Sequence, residues 1–209
     1  MVLHPDLQEY VKALDGMEII QHPLVYQVPF FGSEMEIDFA NRMYAQKLEA
    51  IEQAIKEHDV HRCITMHEKP WRLLAFLKHR ELIEQHTREY WEIVNSVWIG
   101  SENIWQHVER WIEIFQEPNN HLFMDESEQA YLDRAFAGGR KLTVYRGGSN
   151  DGLSYTVSRA KAEWFAGRYL WETALRTVRT IEVTRDQVVA YTNQREEREI
   201  ILKEIPDAG

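Results

Sequence analysis

The fold is decided by two stretches near the end of the chain: residues 142–156 have the sequence LTVYRGGSNDGLSYT, and residues 195–202 have the sequence REEREIIL. Each stretch places charged or hydroxyl side chains directly beside a run of β-forming residues such as Val, Tyr, Ile and Leu. Polar side chains at the edge of an apolar strand need either a partner or a function. The two stretches therefore predict a C-terminal sheet that carries a polar site.

The rest of the C-terminal region fits this prediction. Residues 158–169 show a helical pattern that begins at the capping residue Ser158. β-rich runs follow at residues 178–183, 188–192 and 199–202. The order of these segments indicates strands and one helix in an α+β arrangement.

The sequence before Gly138 indicates helices. Ser33 and Glu36 form a capping box ahead of one apolar pattern, and Asp125 with Glu128 opens another. Helical patterns are predicted over residues 7–14, 33–58, 71–97, 101–115 and 125–137. We therefore expect a helical region over residues 1–137 packed on a sheet core over residues 138–209.

Composition limits the partners. The 209 residues include 24 Lys and Arg against 34 Asp and Glu, giving a formal net charge of -10. This charge disfavours a nucleic-acid-binding surface and favours a protein as any macromolecular acceptor. The start of the chain lacks the pattern of a secretory signal, and no apolar run is long enough to span a bilayer, so we expect a cytoplasmic protein with no membrane contact.

A metal site is not predicted. His58, His61, Cys63 and His67 are the densest group of metal-capable side chains, but their spacing fits no closed zinc pattern. Cys63 is the single cysteine of the chain and cannot form an intramolecular disulfide.

Three segments carry the candidate site residues. Arg146, followed by Gly147, can make a bidentate contact to phosphate or ribose while the glycine backbone stays open. Ser154 and Thr156 share one face of a strand. On an extended chain Glu197 and Glu199 also project from one face, so two carboxylates can act on one site.

Each segment has a plainer interpretation as well. An arginine before a glycine turn is often a solvated strand end, a serine before a helix is often a cap, and a charge run is often a solvated approach to an edge strand. The order of the segments is what favours a shared site.

In that order, Tyr145-Arg146-Gly147, Ser154-Tyr155-Thr156 and Glu197-Arg198-Glu199 resemble the three motifs of the arginine-serine-glutamate class of ADP-ribosyltransferases, in its toxin-like bacterial or phage form. The resemblance covers residues 145–202. The chain departs from the usual Ser-Thr-Ser motif at Tyr155 and Thr156, and it keeps the hydroxyl of Ser154.

The resemblance implies a split β-sheet core that binds NAD⁺ as a substrate, without a metal. It assigns Arg146, Gly147, Ser154 and Thr156 to the binding site. Arg146 would contact phosphate or the nicotinamide-side ribose, and Gly147 would offer its backbone to the nicotinamide amide. Ser154 would order the site by hydrogen bonding toward Glu199.

The resemblance also implies the catalytic roles. Glu199 would bind the ribose 2′-hydroxyl and stabilise positive charge as the bond to nicotinamide breaks. Glu197 would orient and deprotonate the acceptor. Tyr155 or Phe165 would stack on the nicotinamide ring.

The expected function is therefore that of an NAD⁺-dependent mono-ADP-ribosyltransferase, a toxin-like effector acting on a cytosolic macromolecule. Two alternatives stay open: an NAD⁺ glycohydrolase with the same site and water as acceptor, and a catalytically silent protein that binds a nucleotide or a partner.

Overall fold

The computed structural model describes residues 1–101, 104–148, 152–168 and 177–206. The helices are Pro5–Gln8 (α1), Glu34–Lys56 (α2), Val60–Thr65 (α3), Arg72–His79 (α4), Arg88–Gly100 (α5), Val108–Phe115 (α6), Glu126–Ala135 (α7) and Arg159–Gly167 (α8). The strands are Val11–Leu14 (β1), Met17–His22 (β2), Val25–Gln27 (β3), Leu142–Gly147 (β4), Ser154–Thr156 (β5), Val178–Val183 (β6), Val188–Thr192 (β7) and Glu199–Leu202 (β8). The fold is α+β, as the sequence predicts.

The chain divides into two compact units. The first contains residues 1–85 and 96–102, and the second contains residues 86–95 and 103–209. The division falls within α5, and it does not coincide with the boundary expected between residues 137 and 138. The reason lies in the second unit, where α7 packs on β7 and so belongs with the sheet.

A hairpin near the N-terminus corrects the predicted helix over residues 7–14. The helix α1 ends at Gln8, and β1 pairs with β2 in an antiparallel register that sets Leu14 opposite Met17. Asp15 and Gly16 form the connection with φ of 49° and 80°. Asp-Gly is a favoured pair for a two-residue hairpin turn, and this local signal overrides the weak helical spacing. The expectation of a helical region over residues 1–137 is therefore wrong for residues 11–22, which form β1, its turn and β2.

The predicted continuous helical pattern over residues 71–97 is also wrong. The helix α4 ends at His79, and α5 begins at Arg88 after His86, whose φ is 60°. The Thr87 hydroxyl accepts a hydrogen bond from the Tyr90 N–H at 3.3 Å, as a capping side chain does. The pattern predicted from residue 101 likewise starts with a 3₁₀ turn, Ile104–His107, before α6 begins.

The first unit holds its own core. The capping box predicted at Ser33 is confirmed, and it begins α2 in this unit. The capping box predicted at Asp125 is confirmed as well, and it begins α7 in the second unit. The three-stranded sheet has the order β1-β2-β3. The apolar residues of the core cluster in this unit are Leu3, Leu7, Ile20, Leu24, Val25, Phe30, Ala40, Tyr44 and Ile51.

The second unit contains a five-stranded antiparallel sheet with the order β6-β4-β5-β8-β7. The pairing of β4 with β6 runs over six residue pairs, from Leu142 opposite Val183 to Gly147 opposite Val178. By contrast, β4 meets β5 through one pair, Tyr145 opposite Thr156. The pairing between β4 and β5 is therefore the shortest in this sheet.

Helix α8 packs against β4, and it also contacts β5. A Cβ atom at Gly147 would be 1.9 Å from the carbonyl oxygen of Ala162 and 2.6 Å from the backbone nitrogen of Ala166. Glycine at this position is therefore required by the close approach of the helix backbone to the strand. Ser158 caps α8 by accepting a hydrogen bond from the Lys161 N–H, as predicted, and the predicted end of this helix at Tyr169 lies outside the described residues.

Among the described residues, no helix is both long enough and apolar enough to cross a membrane.

The contact between Gly147 and α8 predicts a stability difference. Gly147→Ala should lower the free energy of unfolding by roughly 1–3 kcal/mol or more, because the new methyl group overlaps backbone atoms that cannot rotate away. Urea unfolding followed by circular dichroism measures the change. Gly167→Ala is the control, since a Cβ atom there meets nothing within 4 Å. Equal urea midpoints for the two variants would contradict the packing described here.

Candidate functional site

A cavity of about 250 Å³ opens in the second unit where β4, β5, α8 and the chain before β8 meet. Its lining includes every residue that the sequence nominated for the site. The lining residues are Tyr145, Arg146, Gly147, Ser154, Tyr155, Thr156, Phe165, Arg168, Arg195, Glu197 and Glu199. Three short segments far apart in sequence thus converge on one place, which is the candidate active site.

The guanidinium of Arg146 lies at the end of β4. Its Nη1 donates a hydrogen bond of 2.6 Å to the carbonyl oxygen of Ser154. A Cβ atom at Gly152 would lie 2.7 Å from Arg146 Nη2, so this glycine leaves room for the guanidinium. The arginine is therefore held against β5 with its charge at the cavity.

The hydroxyl of Ser154 and the carboxylate of Glu199 form the centre of the site. Ser154 pairs with Ile201 of β8, and Thr156 pairs with Glu199, so the two strands run side by side. The Ser154 hydroxyl donates a 2.5 Å hydrogen bond to Glu199 Oε1. Glu199 is 2% exposed. A carboxylate buried to this degree needs close partners, and the serine provides one of them.

Thr156 lines the cavity, and its hydroxyl also makes two hydrogen bonds within the protein. Its hydroxyl donates a hydrogen bond of 2.7 Å to the carbonyl oxygen of Glu197 and accepts one of 3.0 Å from the Ser158 N–H. The hydroxyl thus fastens the chain that carries Glu197 to the start of α8.

The two glutamates converge, but the predicted reason is wrong. Glu196 and Arg198 have φ of 57° and 50°, so the chain on either side of Glu197 is bent rather than extended, and β8 begins at Glu199. Asn193 supports this turn, since its side-chain oxygen accepts a hydrogen bond of 3.1 Å from the Arg198 N–H. Left-handed conformations cost energy for residues other than glycine and are found where a site demands them.

Arg195 joins the two carboxylates, and the sequence analysis did not identify it. Its Nη2 lies 3.2 Å from Glu197 Oε2 and 3.3 Å from Glu199 Oε2. The side chains of Arg195 and Glu197 are 33% and 23% exposed. One guanidinium nitrogen therefore bridges the two acids at the mouth of the cavity.

The carboxyl of Glu197 has a raised pKa. Burial raises the pKa of its carboxyl above the ordinary value of 4.5, and the negative charge of Glu199 raises it further, against the lowering effect of Arg195, Lys161 and Arg168. A carboxylate with a raised pKa is a better proton acceptor than an ordinary glutamate.

The helix α8 adds an aromatic ring and a further cation. Phe165 is partly exposed at the cavity, whereas Tyr155 is 1% exposed and packed in the core. Of the two aromatic residues proposed for stacking, Phe165 is therefore the accessible one. Arg168, which the sequence analysis missed, also lines the cavity. Its spacing of three from Phe165 places both on one face of the helix, and that periodicity could have identified it.

A larger cavity of the second unit lacks such a cluster. It has a volume of about 500 Å³ and lies between β6 and the end of β8. Its charged lining residues are Glu182, Asp186, Lys203 and Glu204. No group of three or more potential metal ligands occurs in the described part of the chain.

The raised pKa of Glu197 predicts a pH-dependent stability difference. Because the pKa of Glu197 is higher in the folded chain than in the unfolded chain, protonation of this carboxyl stabilises the fold. That contribution is fully present below the pKa of Glu197 in the unfolded chain, and it is lost as pH rises through the pKa of Glu197 in the folded chain. Glu197→Gln mimics the protonated group. The variant should therefore gain stability relative to the natural chain between about pH 4 and about pH 7. Urea unfolding at both pH values measures the difference.

The exposed neighbour Glu196 provides the control. Glu196→Gln removes an equal charge from the same turn, so its effect on the free energy of unfolding shows how much of the change comes from loss of a charge at an exposed position. A gain for Glu197→Gln that shrinks or reverses as pH rises would contradict the assigned burial of the carboxylate.

Comparisons with known proteins do not assign the chain to a family. The chain matches no protein-family model, no curated protein and no solved structure. The case for a function therefore rests on the cavity itself.

Proposed function

We propose that the chain is an NAD⁺-dependent mono-ADP-ribosyltransferase, which transfers ADP-ribose from NAD⁺ to a macromolecular acceptor and releases nicotinamide. The observation that supports this most is the hydrogen bond from Ser154 to the buried carboxylate of Glu199 in a cavity that also contains Arg146 and Glu197. The resemblance of the sequence motifs had predicted these same four residues as parts of one site.

The donor set of the cavity suits one end of a dinucleotide. Arg146 and Arg168 bring two guanidinium groups, which match the two charges of a pyrophosphate. Phe165 offers a ring face for the nicotinamide. Pockets for whole small-molecule ligands usually have volumes of about 300–1,000 Å³. A cavity of about 250 Å³ is therefore sized for the nicotinamide riboside end rather than for the whole molecule.

Glu199 would supply the main catalytic effect. Its carboxylate would accept a hydrogen bond from the ribose 2′-hydroxyl and stabilise the positive charge that develops on the ribose as the bond to nicotinamide breaks. Ser154 holds one carboxylate oxygen and Arg195 holds the other, so the orientation of the carboxylate is fixed. Since the group is buried, its charge acts at low local dielectric and is worth more than it would be in water.

Glu197 would act on the acceptor. It lies on the more exposed side of the pair, and its raised pKa suits a group that takes a proton from an incoming nucleophile. The same exposure favours the second candidate function, an NAD⁺ glycohydrolase, because water can reach the carboxylate at the same position.

The proposal predicts that Glu199→Gln lowers the rate of nicotinamide release by on the order of 10²-fold or more, because one preorganised charge is lost. Binding of NAD⁺ should fall much less, since Arg146 and Arg168 remain. The measurement uses the purified chain with NAD⁺ labelled in its adenylate part and a bacterial lysate, and it follows nicotinamide release and label transfer together.

Glu196→Gln is the matched control, since it removes a carboxylate from the same turn without touching the cavity. Label on a discrete acceptor, lost in Glu199→Gln and kept in Glu196→Gln, would support the transferase. Nicotinamide release without transfer would favour the glycohydrolase. The absence of both activities and of NAD⁺ binding in calorimetry would contradict an NAD⁺ site altogether.

A further inference from the structure

Helix α7 carries a buried carboxylate that does more than cap the helix. Glu128 is 5% exposed and is not part of the cavity lining described above. Its Oε2 accepts a hydrogen bond of 3.1 Å from the Asp125 N–H, which completes the capping box of α7. Its Oε1 accepts a hydrogen bond of 3.2 Å from the Asn193 N–H, 65 residues further along the chain. The cap needs only the first of these two oxygens.

Asn193 holds the bent chain around Glu197. Its carbonyl oxygen accepts a hydrogen bond of 2.9 Å from the Glu196 N–H, and its side-chain oxygen accepts one of 3.1 Å from the Arg198 N–H. Both chain neighbours of Glu197 are thus fixed to Asn193. Since Glu128 in turn fixes the backbone of Asn193, the position of the Glu197 carboxylate depends on α7.

A second contact joins the same segment to the same face of α7. Tyr131 stacks on Tyr191 with ring centroids 3.9 Å apart and an angle of 20° between the rings, and the side chain of Tyr191 hydrogen-bonds that of Arg198. Glu128 and Tyr131 are three residues apart, so they project from one face of the helix. Both ends of the segment 193–198 are therefore anchored to α7.

We propose that Glu128 is a positioning residue for the catalytic glutamates, through which α7 supports the segment 193–198. This inference rests on the proposed function, because the position of Glu197 and Glu199 matters for the rate only if they act on bound NAD⁺ and its acceptor. Glu128 acts through Asn193. A displacement of about 1 Å at a reacting group can lower the rate by roughly 10²-fold. A helix that does not contact the substrate thereby sets the rate of the reaction.

The inference predicts a loss of rate without a matching loss of affinity. Glu128→Ala should lower kcat for nicotinamide release by roughly 10- to 100-fold, because the Glu197 carboxylate loses its fixed position. Binding of NAD⁺, measured by calorimetry, should change little, since Arg146 and Arg168 keep their places. The assay uses the purified full chain with NAD⁺ and follows nicotinamide release over a range of pH.

The pH profile separates positioning from a loss of folded protein. Burial is the largest effect that raises the pKa of the Glu197 carboxyl. The nearby charges that act on the same pKa are Arg195, which lowers it, Glu199 of β8, which raises it, and Lys161 and Arg168 of α8 and the residue after it, which lower it. A segment released from α7 exposes the carboxyl, so its pKa should fall. Because a base acts in its deprotonated form, the acid limb of the pH profile of kcat should move to lower pH in the variant.

A second readout does not depend on activity. NMR of chain prepared with isotope-labelled glutamate follows the titration of each carboxyl, and the resonance missing from Glu197→Gln identifies that of Glu197. Its titration midpoint should move to lower pH in Glu128→Ala. Asn193→Ala removes the side-chain oxygen that holds Arg198 at an exposed position, and it should move the midpoint in the same direction. That variant gives a result even if Glu128→Ala fails to fold.

Glu36→Ala is the matched control. Glu36 completes the capping box of α2 in the first unit, and its other carboxylate oxygen accepts a hydrogen bond from the nearby Phe31 N–H. Both substitutions therefore remove a capping carboxylate, but only Glu128→Ala breaks a contact with the segment 193–198. The control should keep the kcat and the Glu197 midpoint of the unaltered chain.

The two readouts separate this inference from the proposed function. If the unaltered chain releases nicotinamide and Glu128→Ala keeps its kcat, or loses activity with the Glu197 midpoint unmoved, the positioning role is overturned and the proposed function stands. If the unaltered chain neither releases nicotinamide nor binds NAD⁺, the proposed function is overturned, and the NMR titration alone decides whether Glu128 fixes the surroundings of Glu197.

Discussion

The site depends on strand β5, which joins the two parts of the C-terminal sheet. This three-residue strand meets β4 through one residue pair and β8 through three. In the described residues β4 meets β5 at Tyr145 alone, so Arg146 and Gly147 at the end of β4 pair with β6 but not with β5, and both line the cavity. The same short strand brings Ser154 beside Glu199, so the interaction at the centre of the site follows directly from the strand order.

Neighbouring side chains offset the cost of burying the Glu199 carboxylate and of bending the chain beside it. Glu199 is almost fully buried, and a carboxylate in that position destabilises the fold unless it is hydrogen-bonded and paired. Ser154 and Arg195 supply those partners. The left-handed residues Glu196 and Arg198 add strain, which the hydrogen bonds of Thr156 and Asn193 offset. The arrangement resembles a preorganised site more than a solvated charge run.

The sequence predicted the C-terminal elements well because each has a strong local signal. Strands β6, β7 and β8 lie at the predicted residues, and Ser158 caps α8. The helix predicted over residues 7–14 is wrong because its apolar spacing is a weak signal, whereas the Asp15-Gly16 turn favours a hairpin. Arg195 was missed for another reason: its contact with both carboxylates arises from the turn at residues 196–198, and no periodic pattern in the sequence encodes such a turn.

The charge of the chain and the charge of the cavity have opposite signs, and this contrast bears on the choice of ligand. The chain carries a formal net charge of -10, whereas Arg146, Arg168 and Arg195 all line one small cavity. A long polyanion such as nucleic acid would experience the repulsion of the whole surface, which acts over about 10 Å at moderate ionic strength. A small anionic ligand that enters the cavity would instead meet three guanidinium groups, which outnumber the carboxylates of Glu197 and Glu199 there. The charge distribution thus favours a small anionic ligand over nucleic acid at this cavity.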